Sequence, residues 1–392
     1  MNAAAPVDLF GFAERLTPGE HDKLRQLREL LDARARPHLA QWWEDAHSPA
    51  HLRTELAALR LEDDPALLGE DGLPRAVYIG FRHFELARFD MSIGTLYGGQ
   101  VGMFRTLVRS GGSEEQVARW DPRIPSFELT GCFALTEPGH GSDVAGGMET
   151  IATRDGDGWR ISGHKRWIGN AALSEVMVVV ARDAADGRAK AFLVPREAPG
   201  VTVSDITGKL ALRMVRNGDI RLQDVRVPET DRLARIDSFA DIAAILAQLR
   251  YVVAWNAAGL QAGAYEAALA YAMRRTQFGR PIAGFQLVQE KLARMLGNAT
   301  ATLAMAVRMT ELRDAGRAEE VHAALTKGWV ADRARETVAL AREICGAEGI
   351  RVDTDVARFF ADAEALYTFE GTHEMNALIV GRAITGLSAF TR

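Results

Sequence analysis

The chain has 392 residues, 47% of them hydrophobic and 25% charged, an ordinary globular balance with enough apolar sequence for two or three domains at about 150 residues each. Its 47 basic and 52 acidic residues leave a net charge of −5, which argues against general nucleic-acid binding, since that needs a concentrated positive field. Two cysteines, Cys132 and Cys345, make no disulfide framework. With no basic-then-apolar leader and no apolar run near the roughly 20 residues of a membrane span, a cytoplasmic protein outside the membrane is expected.

From about Leu16 to Arg119 the pattern is helical. Leu24, Leu27, Leu30 and Leu31 recur at helical spacing, and Gly69, Gly72 and Pro74 mark a loop between helices. Near Phe127 the texture changes to short β-branched runs, such as Val176-Met-Val-Val-Val and Ile220-Arg-Leu-Gln-Asp-Val-Arg-Val, with hairpin turns at Asp155-Gly-Asp-Gly and Asp186-Gly. From Phe239 long Ala/Leu/Arg segments return, notably 257–275 and 285–313. The expected architecture is a multidomain α+β chain: a helical domain over 1–126, an antiparallel β domain over 127–235 and a helical bundle over 236–392.

Three segments carry candidate chemistry. In Leu135-Thr-Glu-Pro-Gly-His-Gly-Ser-Asp143, Gly139 and Gly141 allow close backbone approach to a ligand, while Thr136 and Ser142 offer hydroxyls; a plain Gly/Pro turn explains the same run equally well. The third glycine of a dinucleotide fingerprint would fall on Val144, so that motif is excluded. In Lys165-Arg-Trp-Ile-Gly-Asn170 a Trp beside Gly and Asn can wall a flat ring, although a buried core Trp is the commoner case. In Tyr367-Thr-Phe-Glu-Gly-Thr-His-Glu374 a carboxylate in an apolar pocket can serve as a general base, against the commoner exposed Glu. No metal site is expected: His47 and His51 flank Ser48-Pro49, which breaks a helix, and no cysteine pair has zinc spacing.

These segments, in this order, resemble the acyl-CoA dehydrogenase family over nearly the whole chain. Ala134–Asp143 is similar to its first signature, and Tyr271-Ala-Met-Arg-Arg-Thr-Gln-Phe-Gly-Arg-Pro-Ile282 with Phe285-Gln286 to its flavin-binding helix pair. Arg342–Ile350 with Arg358 and Asp362 resembles its second signature, and Phe369–Gly386 is most similar to the branch of glutaryl-CoA dehydrogenases and plant short-chain acyl-CoA oxidases. The resemblance implies a C-terminal four-helix bundle, FAD, an acyl-CoA substrate and a homotetramer built as a dimer of dimers. It places Phe133, Leu135, Thr136, Gly141 and Ser142 along the flavin and Trp167, Ile168 and Gly169 against its ring. Arg275, Phe278 and Gln286 reach a neighbouring subunit's FAD, and Glu343, Ile344, Cys345, Gly346 and Ala347 complete that site. Thr372 and Phe390 lie near the flavin, and Gly94, Thr95, Ser142, Arg250 and Gly371 meet the substrate, Arg250 at the CoA portion. Glu370 is the implied base: it takes the α-proton while a hydride leaves the β-carbon for flavin N5, the thioester oxygen being held by the Glu370 N–H and a ribityl hydroxyl.

The chain also departs from the family. Gly94 stands where glutaryl-CoA dehydrogenases carry an arginine for the distal carboxylate, which argues against glutaryl-CoA and leaves room for a longer or bulkier chain. Gly169 replaces a threonine whose hydroxyl bonds flavin N5, as in the plant oxidases. Glu343 and Ala347 replace Gln and Gly, and Leu68–Leu73 is a reduced loop at the mouth of the acyl pocket. The expected acceptor is an electron-transfer flavoprotein, with oxygen as the alternative.

Overall fold

A computed structural model of the chain describes residues 7–389. Seven helices come first: α1 Pro18–Arg34, α2 Leu39–Glu44, α3 Leu52–Ala58, α4 Ala76–Phe89, α5 Met91–Gly98, α6 Arg105–Gly111 and α7 Glu114–Trp120. Local chemistry sets their starts. Thr17 and Glu20 form a capping box on α1, Ser113 and Gln116 do so on α7, and Asp90 caps α5 by accepting from Ser92 N (2.8 Å) and Ile93 N (3.2 Å). Leu24, Leu27 and Leu31 are buried, as their spacing requires.

The middle domain contains β1 Gly131–Ala134, the short α8 Val144–Gly147, β2 Ile151–Asp155, β3 Gly158–Gly169, β4 Val176–Asp183, β5 Ala189–Pro195, β6 Val201–Asp205 and β7 Asn217–Pro228. Both expected hairpins form, β2–β3 across Gly156-Asp157 and β4–β5 across Asp186-Gly187. The expectation of a wholly antiparallel sheet is corrected: β1 and β2 each run parallel to β4, β1 at its start and β2 at its end, with β5 on the opposite edge. The chain crosses over between β1 and β4, and short apolar runs do not reveal which neighbour they will meet.

The last domain holds α9 Phe239–Arg274, the two-residue strands β8 Thr276–Gln277 and β9 Arg280–Pro281, α10 Gln286–Asp314, α11 Glu320–Cys345, α12 Val356–Thr368 and α13 His373–Thr385. α9 is apolar and long enough to cross a bilayer by length and composition, but 56% of its apolar window is buried in the protein, where α4, α10 and α11 pack on it. Gly259 and Gly263 let α4 come this close. A Cβ at Gly259 would lie 2.2 Å from Phe84 O, and one at Gly263 2.3 Å from Arg88 O, so α4 and α9 touch backbone to backbone.

Candidate active site

The first wall of the site is the end of β3. The β3–β7 ladder slips between Arg166 and Ile168, and this bulge turns Trp167 out of the sheet. Trp167 is 56% exposed with φ 65°, while its neighbour Ile168 is buried in the sheet core. The buried-core reading therefore belongs to a different tryptophan, Trp159, which packs on Phe192. Beside the exposed indole, Gly169 leaves open space; the nearest atom to a Cβ there would be Asn217 Nδ2 at 4.0 Å.

The loop after β1 lies alongside and is held by a buried strut. Lys165 is fully buried and donates to Leu135 O (3.0 Å) and to Glu137 Oε1 (2.7 Å). Glu137 in turn accepts from Glu149 N and Thr150 N at 2.7 and 3.0 Å. Burial pushes Lys165 down to about 8, with Glu137 pulling the other way. Burial works to raise Glu137, but the Lys165 and Thr150 hydrogen bonds outweigh it and hold the carboxyl below its usual range. Thr136 is stitched to the same strand: Arg166 N donates to its carbonyl (2.8 Å), and its hydroxyl donates to Arg166 O (2.5 Å). Beyond this strut Gly139, Gly141 and Ser142 are exposed, with nothing within 4 Å of a Cβ at either glycine. Phe133 is half-buried, whereas the Leu135 side chain belongs to the core, so only its main chain faces the loop.

The second element is the turn between α12 and α13. Glu370 has φ 57° and Gly371 φ 88°. Lys327, on α11 and 1% exposed, donates to Tyr367 O (2.8 Å) and Gly371 O (2.6 Å), bracketing the glutamate. Asn376 Nδ2 donates to Gly371 O (3.0 Å) and Thr372 O (2.9 Å), and Thr372 Oγ1 accepts from Met375 N at 3.3 Å, capping α13. Tyr367 and His373 stack at 4.9 Å across the turn. Burial raises the Glu370 carboxyl above its usual range, and the charges of Arg250 and Lys327 pull it back. Burial brings Lys327 down to about 8 against the pull of Glu370 and Glu374. A poised carboxylate between two cations is suited to taking a proton from a weak carbon acid. Sequence reasoning placed Arg250 near the CoA portion; the structure sets its charge beside Glu370, with Glu320 at 3.5 Å on its outer side. It missed Lys327, Asn376 and the Lys165–Glu137 strut.

The remaining predicted residues lie elsewhere. Gly94 is buried, and a Cβ there would meet Ala87 N at 3.5 Å and Leu86 Cβ at 3.6 Å on α4, ordinary van der Waals contact. Thr95, one residue on, is half-buried and donates to Met91 O within its own helix (2.8 Å). Arg275, Phe278 and Gln286 are exposed at the α9–α10 junction, Phe278 at 93%. About 25 residues of helix separate Arg275 from Arg250, or roughly 37 Å at 1.5 Å per residue. Glu343 is held by Lys291 (2.7 Å); Gly346 and Ala347 are exposed, but Ile344 and Cys345 are core residues whose side chains face inward. Phe390 lies outside the described residues.

These features fit FAD: an exposed indole for a flat ring, an open glycine backbone with a hydroxyl beside it, and an arginine able to pair bidentately with pyrophosphate. The acyl-CoA dehydrogenase N-terminal, middle and C-terminal domain descriptions match residues 17–128, 132–225 and 239–385. The bovine mitochondrial short-chain specific acyl-CoA dehydrogenase is 30% identical over 370 residues, covering 93% of this chain and 89% of its own. A glutaryl-CoA dehydrogenase of Mycobacterium smegmatis superposes with a TM-score of 0.91 at 36% identity, over 99% of this chain and all of that one. Another structure of a glutaryl-CoA dehydrogenase from that organism, in complex with FADH2, gives 0.91 at 32% identity over the same shares. Sequence, domain order and fold agree that this chain belongs to the acyl-CoA dehydrogenase family.

Proposed function

We propose that Glu370 is the base of an FAD-dependent α,β-dehydrogenation of an acyl-CoA thioester. As members of this family do, the enzyme uses FAD to dehydrogenate acyl-CoA. FAD, when bound, supplies the acceptor for the β-hydride. The chain's part is to hold the thioester and to take the proton. The observation that carries the reading is the turn at Glu370: a half-buried carboxylate whose pKa burial raises, in a main-chain turn fixed by Lys327 and Asn376. The Glu370 N–H supports the developing enolate oxygen, and the charges of Arg250 and Lys327 work against the burial that raises the carboxyl's pKa.

Glutaryl-CoA is not the substrate in this reading, because Gly94 offers no cation to a distal carboxylate. The electron acceptor is an electron-transfer flavoprotein. The open space at Gly169 favours a second reading, in which oxygen reoxidises the flavin and peroxide is released. The assembly is a homotetramer, a dimer of dimers. Roughly 37 Å along α9 keeps Arg275 from its own chain's base, so Arg275, Phe278 and Gln286 complete a neighbour's FAD site. Exposed Met273, Phe278, Leu287, Ile384 and Leu387 supply the apolar surface to be covered.

The test is an anaerobic titration of the purified protein with an acyl-CoA panel, followed by air. Bleaching of the oxidised flavin band is expected with wild type. Glu370→Gln is expected to keep its flavin and to lose about three orders of magnitude or more in reduction rate. Near-normal reduction in that variant would mean that another group is the base. Rapid reoxidation in air with peroxide would select the oxidase.

A further inference from the structure

Arg358 and Asp362 lie on α12, roughly three and two turns of helix before Glu370. Their exposures are 3% and 1%, and with them Asp90 is buried at 2%. The three domains meet at this cluster. Asp90, at the α4–α5 junction, gives Oδ1 to the N-terminus of α5, and its Oδ2 stands 3.7 Å from Arg358 Nε. Asp362 Oδ1 accepts from Leu212 N (2.6 Å) in the β6–β7 loop of the middle domain. Leu212 is held there with φ 48°, a backbone conformation that a leucine resists. The nearby Phe89, Met214 and Ala361, one from each domain, share one apolar core.

Two carboxyl groups thus face one arginine. Arg358 gives Nη1 to Val352 O and Nη2 to Asp355, and Asp353 is also near, itself paired with Arg351 at 2.7 Å. On the Asp362 side the further cation is Lys209, whose Nζ donates to Leu212 O (2.7 Å), Val215 O (2.5 Å) and Asn217 Oδ1 (2.7 Å). Burial raises both carboxyls above the usual aspartate range, the charge of Asp90 raises Asp362 further, and Arg358 pulls both back. Two carboxyls in one buried site keep a proton between them beyond the pH at which a lone carboxyl ionises. Each arm of the cluster ends at the reacting site. α12 runs on to Glu370. Through Lys209 the β6–β7 loop reaches Asn217, whose Nδ2 donates to Trp167 O (3.5 Å) and whose backbone pairs with Gly169. Asp90 fixes the start of α5, whose Leu96 O accepts from Asn170 Nδ2 (3.1 Å).

We propose that Asp90, Arg358 and Asp362 are positioning residues, a buried three-domain cluster that sets the flavin wall at Trp167–Asn170 and the Glu370 turn in register with each other. With one proton shared, the cluster holds the Leu212 loop and the start of α5 at once. When that proton leaves, two buried like charges face one arginine, the contacts loosen and the two walls lose register. This inference rests on Glu370 being the base of an acyl-CoA dehydrogenase whose FAD lies along Trp167.

The experiment compares FAD-loaded wild type with Asp362→Asn, Arg358→Lys and Arg358→Met from about pH 5 to about pH 9. Asparagine keeps an acceptor for Leu212 N but does not ionise. The readings are single-turnover flavin reduction by a saturated straight-chain acyl-CoA, the visible band of the oxidised flavin, and unfolding free energy. The ratio of reduction rates, Asp362→Asn over wild type, is expected to rise about tenfold across this range, less than the roughly hundredfold cost of a 1 Å misplacement. Glu370 and Lys327 are present in both proteins and cancel in that ratio. The flavin band of wild type is expected to shift with pH and that of Asp362→Asn to stay fixed. Arg358→Met is expected to lose rate at every pH, and Arg358→Lys to recover part of it. A constant rate ratio, or a lysine variant no better than methionine, would overturn the proposal; if neither Arg358 variant folds, the Asp362→Asn readings decide. If no acyl-CoA bleaches the flavin, the assignment of the reaction fails instead, and the cluster is judged by the flavin band and by unfolding. A carboxyl raised in the folded state makes wild type lose stability relative to Asp362→Asn as pH climbs above the usual aspartate range. A flat difference in unfolding free energy would overturn the shared proton, and with it the proposal.

Discussion

Lys327→Met isolates what the buried lysine does for the base. Lys327 Nζ sits 2.8 Å from Tyr367 O and 2.6 Å from Gly371 O, and is 1% exposed. Methionine fills nearly the same volume but donates nothing. Gly371 O keeps its bond from Asn376, whereas the Tyr367 carbonyl, in the last turn of α12, loses its lysine partner. One charge-assisted bond lost with a buried carbonyl exposed to that loss, and a second weakened, amount to about 2–4 kcal/mol. Part of this returns, because burying the ammonium, whose pKa falls to about 8, is itself unfavourable. A net destabilisation of about 1–3 kcal/mol is expected by thermal or denaturant unfolding. The chemical effect is separate. A cation that lowers the Glu370 pKa is removed, so the carboxyl rises further. The base works ionised, so the acid limb of the kcat/KM profile moves to higher pH, and loosening of the turn costs about tenfold to hundredfold in the reduction rate. Single-turnover flavin reduction across pH measures both. Lys327→Arg keeps the charge and should leave the acid limb near wild type. A methionine variant with normal stability and an unmoved acid limb would refute both halves of the reasoning.

Three further outcomes follow from the geometry. Arg275→Ala is expected to lose flavin on dialysis while retaining its helical content; full yellow occupancy would count against the cross-subunit site. Gly169→Thr is expected to slow reoxidation of the reduced flavin in air, and unchanged oxygen reactivity would remove the open space at Gly169 from the argument. Lys165 titrates at about 8 when folded against 10.5 when free, so the unfolded chain holds that proton more tightly. Wild type should therefore gain stability relative to Lys165→Met as pH rises from 8 to 10.5, and a flat difference in unfolding free energy over that window would show that the lysine is not desolvated as described.

Much of this molecule is visible in its residue order. The three textures become three structural layers because helix and strand periods differ, and the caps at Thr17 and Ser113 are local. Trp167, Glu370 and the glycine loop are legible as candidates but not as a site: a plain turn explains the loop equally well, and a core Trp and an exposed Glu are the commoner cases, until the bulge at Arg166–Ile168 and the turn at Glu370 distinguish them. The strand order was not legible, since β1 meets β4 across a 45-residue separation, Gly131 pairing with Val176, that no local pattern encodes. Lys327 left a faint signal: it lies on the stripe of Ala323, Ala324, Val330, Ala331 and Ala334, all buried, and a lysine on such a stripe must find carbonyls to donate to.

Two φ values noted above have a meaning beyond geometry. At Trp167 and Glu370 the backbone adopts the left-handed conformation, at 65° and 57°, which glycine occupies freely and larger side chains resist by about 1 kcal/mol each. On folding grounds alone both positions are glycine positions. The chain nevertheless places there its largest ring and the carboxylate read as its base. Substitution of either by glycine would then give a protein more tolerant of heat and less able to do chemistry. The same sequence holds a more robust and idle version of itself two substitutions away, and the distance between the two is a measure of what the reaction demands of the fold.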